Sequence, residues 1–291
     1  MMSFWQAVVL GALQGVTEFL PVSSSGHLVL LREVLAVGEV PLLFDVLLHL
    51  STLAATAVVF RARLGRLVVA AIDLLRPPAR RRSGSDERRL LGLLLLCTVV
   101  TGGIGMAFGS VGLPRSPSLV SVMLLVTAML LLAARWLRGA PEPGPEPGAE
   151  AHAAAPAETC ADAAPSAGRL PRWPWALLVG VVQGLAVIPG ISRSGATIAA
   201  GVLAGADRET AADFSFLASV PAILGAVAVS LPELSALEEA VDLTALAAGM
   251  AVSFAAGWLA LTALLRIVRR GRLHLFSLYL VPVGIIGLTV L

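Results

Sequence analysis

Lysine is absent: all 21 basic residues of the 291 are arginine. In a chain so rich in Ala, Gly and Leu, that bias reflects coding composition and points to no partner. Charge of either sign is scarce, at 14 % of residues against about a quarter in an ordinary soluble domain. With 57 % hydrophobic residues and a mean hydropathy of +0.87, too little polar surface is left to face water. That excludes a soluble globular enzyme and makes a bilayer the natural solvent. Cysteine is nearly missing: Cys97 lies in an apolar run and Cys160 in a polar stretch, a spacing that suggests neither a disulfide framework nor a thiolate metal site. No basic segment precedes the first apolar stretch, so a cleavable signal peptide is not expected. A net charge of +2 says little about partners, since in a membrane protein the distribution of charge matters more than its sum, and no nucleic-acid partner is expected.

What the chain does have is long apolar runs. Six are long enough for a hydrocarbon core of about 30 Å, which takes about 20 residues. They lie near 41–60, 88–108, 118–137, 212–231, 243–266 and 273–291. Two further stretches, 3–36 and 175–205, are interrupted by Pro21-Val22-Ser23-Ser24-Ser25-Gly26 and by Pro189-Gly190-Ile191-Ser192-Arg193-Ser194-Gly195. Proline removes a backbone donor and glycine tolerates non-helical torsions, so a helix should stop at each. Broken backbone at membrane depth survives only where protein or a wet cavity satisfies it. The expected fold is therefore an all-α integral membrane protein of six transmembrane helices plus two re-entrant helix–loop–helix hairpins.

Arginine placement predicts the orientation. Segment 61–89 carries nine arginines and 266–272 carries four, which assigns both to the cytoplasm. Segment 232–242 holds Glu233, Glu238, Glu239 and Asp242 with no basic residue and should face outward. The first hairpin then opens outward, the second inward, and the C-terminus is outside. Residues 139–172, rich in Pro, Ala, Gly and Glu, read as a disordered cytoplasmic linker. Residues 64–76 read either as a basic interfacial helix or as a plain solvated loop.

A shift of 169 residues brings Gly11, Gln14-Gly15 and Val22-Ser23-Ser24-Ser25-Gly26 onto Gly180, Gln183-Gly184 and Ile191-Ser192-Arg193-Ser194-Gly195. Three crossings separate the hairpins, and an odd number inverts the second copy. The chain thus reads as one membrane domain, 1–291, built as an inverted-topology repeat of about 3–137 and 175–291. Such repeats place a binding site near the midplane, where the breaks meet.

Ionisable residues inside a membrane are costly and point to function. The first hairpin supplies Glu18 and His27, the second Arg193. Gln14 and Glu18 are four apart and share a helix face, where their oxygens suit Mg²⁺ or Ca²⁺. Ser23, Ser24, Ser25 and Gly26 open a half-helix, an anion site by virtue of its free N–H groups. His27 suits proton transfer near neutrality. Arg193, between Ser192 and Ser194 and followed by Gly195 and Thr197, offers a planar fork for phosphate oxygens. A cation site, a nucleophile or base and an anion clamp are the parts of phosphoryl transfer. Each has a plainer reading alone: a cap, a satisfied interfacial histidine, a buried structural acid, or an Arg193–Glu18 ion pair. Asp45 and His49 make a weaker case, since they can line the cavity, pair with each other or sit near the outer interface.

The stretch Gln14-Gly15-Val16-Thr17-Glu18-Phe19-Leu20-Pro21-Val22-Ser23-Ser24-Ser25-Gly26-His27 resembles the first signature of the undecaprenyl-diphosphate phosphatases, the bacitracin-resistance family. Pro189 through Thr197 resembles the second, and the likeness continues through Asp213-Phe214-Ser215-Phe216-Leu217 and Pro221; only 139–172 looks like an insertion. The resemblance implies hydrolysis of undecaprenyl diphosphate to the monophosphate and inorganic phosphate, recycling the lipid carrier for peptidoglycan and other envelope polymers, with bacitracin resistance. It implies a bacterial cytoplasmic (inner) membrane, a site open to the outer side and a divalent cation; a homodimer is left open. By position, Glu18 corresponds to the family's essential acid, Ser24 and His27 to its serine and histidine, and Arg193 to its phosphate-binding arginine. Gln14 stands where the pattern allows a first acid, one carboxylate fewer for a metal. Ser24, His27 or a water activated by His27 can each be the nucleophile at this stage.

Two rivals remain. A lipid flippase would use the same clamp and needs no nucleophile. The other large class of membrane lipid phosphatases has a second histidine soon after its Ser-Arg; Ser194-Gly195-Ala196-Thr197-Ile198-Ala199 supplies none.

Overall fold

A computed structural model describes residues 2–35, 37, 42–77, 81–111, 116–137, 172–233 and 242–290. Among these there are eleven α-helices and no strand. In chain order they are α1 (Phe4–Phe19), α2 (Ser24–Val34), α3 (Leu42–Val59), α4 (Arg61–Leu74), α5 (Ser85–Val111) and α6 (Pro117–Trp136), then α7 (Trp173–Leu185), α8 (Arg193–Leu203), α9 (Arg208–Ser230), α10 (Leu243–Arg269) and α11 (Leu275–Val290). Helices α3, α5, α6, α9 and α10 are long and apolar enough to cross a membrane. The expected linker lies outside the described residues except for Arg172, as do Cys160 and the loop acids Glu238 and Glu239.

The run expected to cross at 273–291 is a shorter helix. Leu275, Phe276 and Ser277 donate backbone bonds to the carbonyls three residues earlier, so Arg272 to His274 form a turn and helix α11 has 16 residues. At 1.5 Å per residue that is about 24 Å, short of a typical hydrocarbon core. Hydropathy alone hid the turn, because Leu273 keeps the run apolar.

Between lipid-embedded helices there is little hydrophobic driving force, so close contact depends on small residues. Helix α1 lies against α10, and Gly11 and Gly15 sit directly on the backbone of Gly249 and Ser253. Helix α7 lies against α5 in the same manner: a Cβ at Gly180 would stand 2.9 Å from the Cys97 carbonyl oxygen, and one at Gly184 2.7 Å from Ile104 Cβ. Any side chain at these positions would push two helices apart. Phe19, Phe60 and Phe216 pack edge-on or tilted at the centre, and Trp175 meets Phe214 at 4.7 Å between ring centroids.

The segment expected at 64–76 is helical from Arg61. Val68, Val69, Ile72 and Leu75 are exposed, the apolar stripe of an interfacial helix. Arg63 departs from that picture: it is buried and ion-paired with Asp213 of α9. Asp73 accepts the backbone N–H groups of Arg82 and Ser83. Burial pushes its carboxyl up, but these donors and Arg76 outweigh it and hold the pKa down at about 2.

Candidate active site

Both hairpins break at their Pro-Gly-Ser segments. Helix α1 ends at Phe19, since Pro21 cannot continue the ladder, and the chain re-enters helix at Ser24. Ser23 makes the turn with φ of 71°, an uncommon conformation for a non-glycine residue, and its Oγ accepts the Gly26 N–H at 3.2 Å. In the second hairpin Gly190 takes the positive φ, 97°, pressed against Val120 of α6. Ser192 then accepts the Gly195 N–H at 3.1 Å and α8 begins at Arg193. These caps are worth about 1 kcal/mol each.

The two breaks touch. Ser194 Oγ donates to the Leu20 carbonyl at 3.3 Å, and Gly26 and Gly195 back onto Gly190 and Pro21. Thr127 of α6 holds the second break by accepting the Ser192 N–H at 3.0 Å.

Glu18 stands at this junction with its side chain 8 % exposed. Its Oε2 accepts Gln14 Nε2 at 2.9 Å and Ser24 Oγ at 2.7 Å, with His49 Nε2 at 3.2 Å. Three donors around one oxygen are the surroundings of a carboxylate. Glu18 Oε1 forms an ion pair with Arg193 Nη1 at 3.7 Å, too far for a hydrogen bond, and that Nη1 is buried without a hydrogen-bond partner. A narrow open pocket adjoins the pair, lined also by Thr52, Thr56, Ser194 and Ser215. A buried guanidinium nitrogen with an unspent donor, at the wall of a cavity, is built to receive an anion.

His49 sits closer to the chemistry than its sequence context suggested. Its Nδ1 is 2.7 Å from the Asp45 carbonyl, which only accepts, so Nδ1 carries a proton. Nε2 faces the Glu18 carboxylate at 3.2 Å, an ion pair when the ring is protonated. Asp45 does not pair with His49; its carboxylate is bound by Arg32.

His27 is turned elsewhere. Nδ1 donates to the Ser23 carbonyl at 2.8 Å, so Nε2 accepts from the Tyr279 hydroxyl, also at 2.8 Å, with the two rings stacked. Neither nitrogen bonds to Ser24 or Glu18. The Ser23 carbonyl one turn back captures the ring first. Tyr279 escaped sequence reasoning; the one available signal was that the chain's single tyrosine lies inside an apolar run.

The remaining expected residues divide into supports and lining. Ser23 and Ser192 are spent as caps, and Gly26 and Gly195 give their N–H groups to them. Ser25 Oγ lies 3.4 Å from Ser23 Oγ. Thr197 is fully buried and shares a 2.5 Å hydrogen bond with Ser215, tying α8 to α9. Only Ser194 joins Arg193 at the cavity wall.

A divalent cation can be tested against this donor set. No group of three or more His, Cys, Asp or Glu occurs among the described residues. Gln14 Oε1, however, is buried beside Glu18 without a partner. One carboxylate and one free amide oxygen fit a hard cation whose other ligands are phosphate oxygens and water.

Fold and site together define a multi-pass helical membrane protein with a carboxylate, a serine and an unsatisfied arginine joined where two broken hairpins meet. Residues 7–286 match the family described as Bacitracin resistance protein BacA, and the chain belongs to that family. It is 41 % identical to an undecaprenyl-diphosphatase of Desulfosudis oleivorans over 96 % of this chain and 95 % of the relative. It is 35 % identical to one of Treponema denticola, covering 99 % and 97 %, and 38 % identical to one of Korarchaeum cryptofilum across the whole of both chains.

Proposed function

We propose that this protein hydrolyses undecaprenyl diphosphate to undecaprenyl phosphate and inorganic phosphate, recycling the carrier for envelope polymers and conferring bacitracin resistance. The observation that carries the reading is the junction itself: a serine hydroxyl hydrogen-bonded to a carboxylate, beside a buried arginine nitrogen ion-paired with that carboxylate but with no hydrogen-bond partner. Family membership supports the substrate.

In the proposed reaction the prenyl tail stays in lipid and the diphosphate enters the cavity. Arg193 and Ser194 hold the terminal phosphoryl group. Ser24 Oγ attacks its phosphorus while the hydroxyl proton passes to Glu18 Oε2. The bond from phosphorus to the bridging oxygen breaks, and undecaprenyl phosphate leaves with that proton. Water then gives a proton to Glu18 and attacks the seryl phosphate; inorganic phosphate departs and Ser24 recovers its proton. Ser24 is preferred as nucleophile because its hydroxyl is aimed at the base, whereas the His27 lone pair is engaged by Tyr279. Gln14 and Glu18 would hold a divalent cation, Mg²⁺ or Ca²⁺, which when bound neutralises phosphate charge. Charge stabilisation of this kind is most of phosphoryl-transfer catalysis.

The proposed setting is a bacterial inner membrane, with the arginine-rich segments cytoplasmic and the site open to the outer side. The short α11 is read as a sixth crossing and the two hairpins as re-entrant. Matched caps, matched glycine contacts and matched glutamines at a shift of 169 residues support an inverted repeat.

The test is phosphate release from undecaprenyl diphosphate by purified protein in detergent, with Mg²⁺ or Ca²⁺ and with EDTA, beside Arg193→Ala. Release that needs both the cation and Arg193 is expected. Folded protein that moves the lipid across vesicles without releasing phosphate would replace the enzyme with a flippase.

A further inference from the structure

Helix α8 carries Arg193 at one end and forms the wall of a second cavity at the other. This open pocket shares no lining residue with the first. Nine residues of helix separate Arg193 from Val202, about 14 Å along the axis. Three basic side chains reach it from three elements: Arg135 at the end of α6, Arg208 at the start of α9, and His274 in the turn before α11. Apolar residues including Leu131, Ile198 and Val202 complete the wall.

No carboxylate lines this space, and the neighbouring acids are committed elsewhere. Asp207 caps α9 through Thr210 at 2.9 Å and 2.7 Å, and Glu209 pairs with Arg269 at 3.4 Å. Among the described residues neither Arg135 nor Arg208 has an ion-pair partner, and His274 Nδ1 is enclosed without a hydrogen-bond partner of standard geometry. The 269–272 turn passes under Arg208 at Gly271, φ 65°, where a Cβ would lie 2.6 Å from Arg208 Nη1. Two guanidinium groups and an imidazole converging on a pocket without a carboxylate make it electropositive and favour an anion there.

We infer that this cavity is a second binding site, for a phosphate group, distinct from the one at Glu18 and Arg193. Planar guanidinium forks select phosphate oxygens, and a leucine–isoleucine–valine wall accepts acyl chain beside them. An anionic lipid headgroup and free phosphate share that chemistry.

The experiment uses the full-length protein, delipidated in detergent and analysed by native mass spectrometry with dioctanoyl phosphatidylglycerol or with dioctanoyl glycerol, which lacks the phosphate. Retention of the phospholipid alone is expected, weakened about tenfold or more in Arg135→Gln/Arg208→Gln and unchanged in Arg193→Gln. Displacement by millimolar inorganic phosphate would make the phosphate group sufficient as ligand; resistance to it would make the ligand a lipid. Equal retention of both molecules, or phospholipid retention by the double variant equal to wild type, would overturn the proposal. Should the double variant not remain monodisperse, Arg135→Glu gives the same reading, since it changes one exposed side chain and puts a carboxylate into the cavity.

Discussion

The two hairpin breaks share one scaffold and carry opposite chemistry. Both follow a glutamine on a glycine-packed helix, both end in a serine cap on a glycine N–H, and both start the next helix at the residue after the cap. Where the first break has Ser24, the second has Arg193; Glu18 is matched by Val187 and His27 by Ala196. The glutamines diverge as well. Gln14 reaches Glu18, while Gln183 binds Thr101 and the Ala218 carbonyl and so ties α7 to α5 and α9. One copy of the device presents a serine hydroxyl and a carboxylate, the proposed nucleophile and base, and the other presents a guanidinium. A phosphate group needs both, which explains why the breaks must touch.

The sharpest way to break that division is at the first hairpin. Ser24→Ala should lower kcat about 10³-fold or more with the protein still monodisperse, because the attacking oxygen is gone. Single-turnover phosphate release reads this directly. A variant that keeps a tenth of wild-type turnover would move the attack to water. On the second hairpin, Arg193→Lys keeps the charge but loses the fork. A drop of about 10²-fold in kcat is expected, since Lys supplies a point charge without planar donors. Wild-type turnover from Arg193→Lys would reduce Arg193 to a general electrostatic role.

Much of this contrast was legible in the sequence. Proline, glycine and serine clusters mark both breaks, and the constant shift pairs them before any coordinates. Five of the six expected spans match long apolar helices, because apolar length is a direct consequence of bilayer thickness. What was not legible depends on side chains from distant segments. His49 was visible only as a neighbour of Asp45, yet its partner is Glu18, 31 residues earlier, and Asp45 is taken by Arg32. Likewise Thr197, expected at the phosphate, is a strut to Ser215 because its hydroxyl points to α9. Residue type and spacing place a group on a helix face, but the neighbouring helix decides its partner.

The His49 contact gives an intermediate test. His49, bound to the Asp45 carbonyl and set against Glu18, positions that carboxylate toward Ser24, so His49→Gln should lower kcat about tenfold with KM little changed. A KM effect instead would put His49 in direct contact with substrate. Smaller still are the caps. Ser23→Ala and Ser192→Ala should each cost about 1 kcal/mol of stability, read as a lowered Tm. If the scaffold is truly shared, the two losses should be alike, although Ser23 alone bears a positive φ.

The smallest expected effect concerns His27, which has no counterpart in the second break. Its Nε2 lone pair is occupied by the Tyr279 hydroxyl, and the phenol and imidazole rings stack 5.6 Å apart. Tyr279→Phe keeps the ring and removes only the hydroxyl, leaving Nε2 free to accept a proton. If His27 merely braces the first break through the Ser23 carbonyl, turnover should fall no more than about threefold and keep its pH profile, since a neutral hydrogen bond is worth about 1 kcal/mol. If His27 is instead the base that activates water, freeing its lone pair should change the profile in the range where histidine titrates, with loss of activity as pH falls through its pKa. The pH profile of Tyr279→Phe therefore separates a histidine that holds the hairpin from one that takes part in the reaction, and only the first leaves Ser24 as the attacking group.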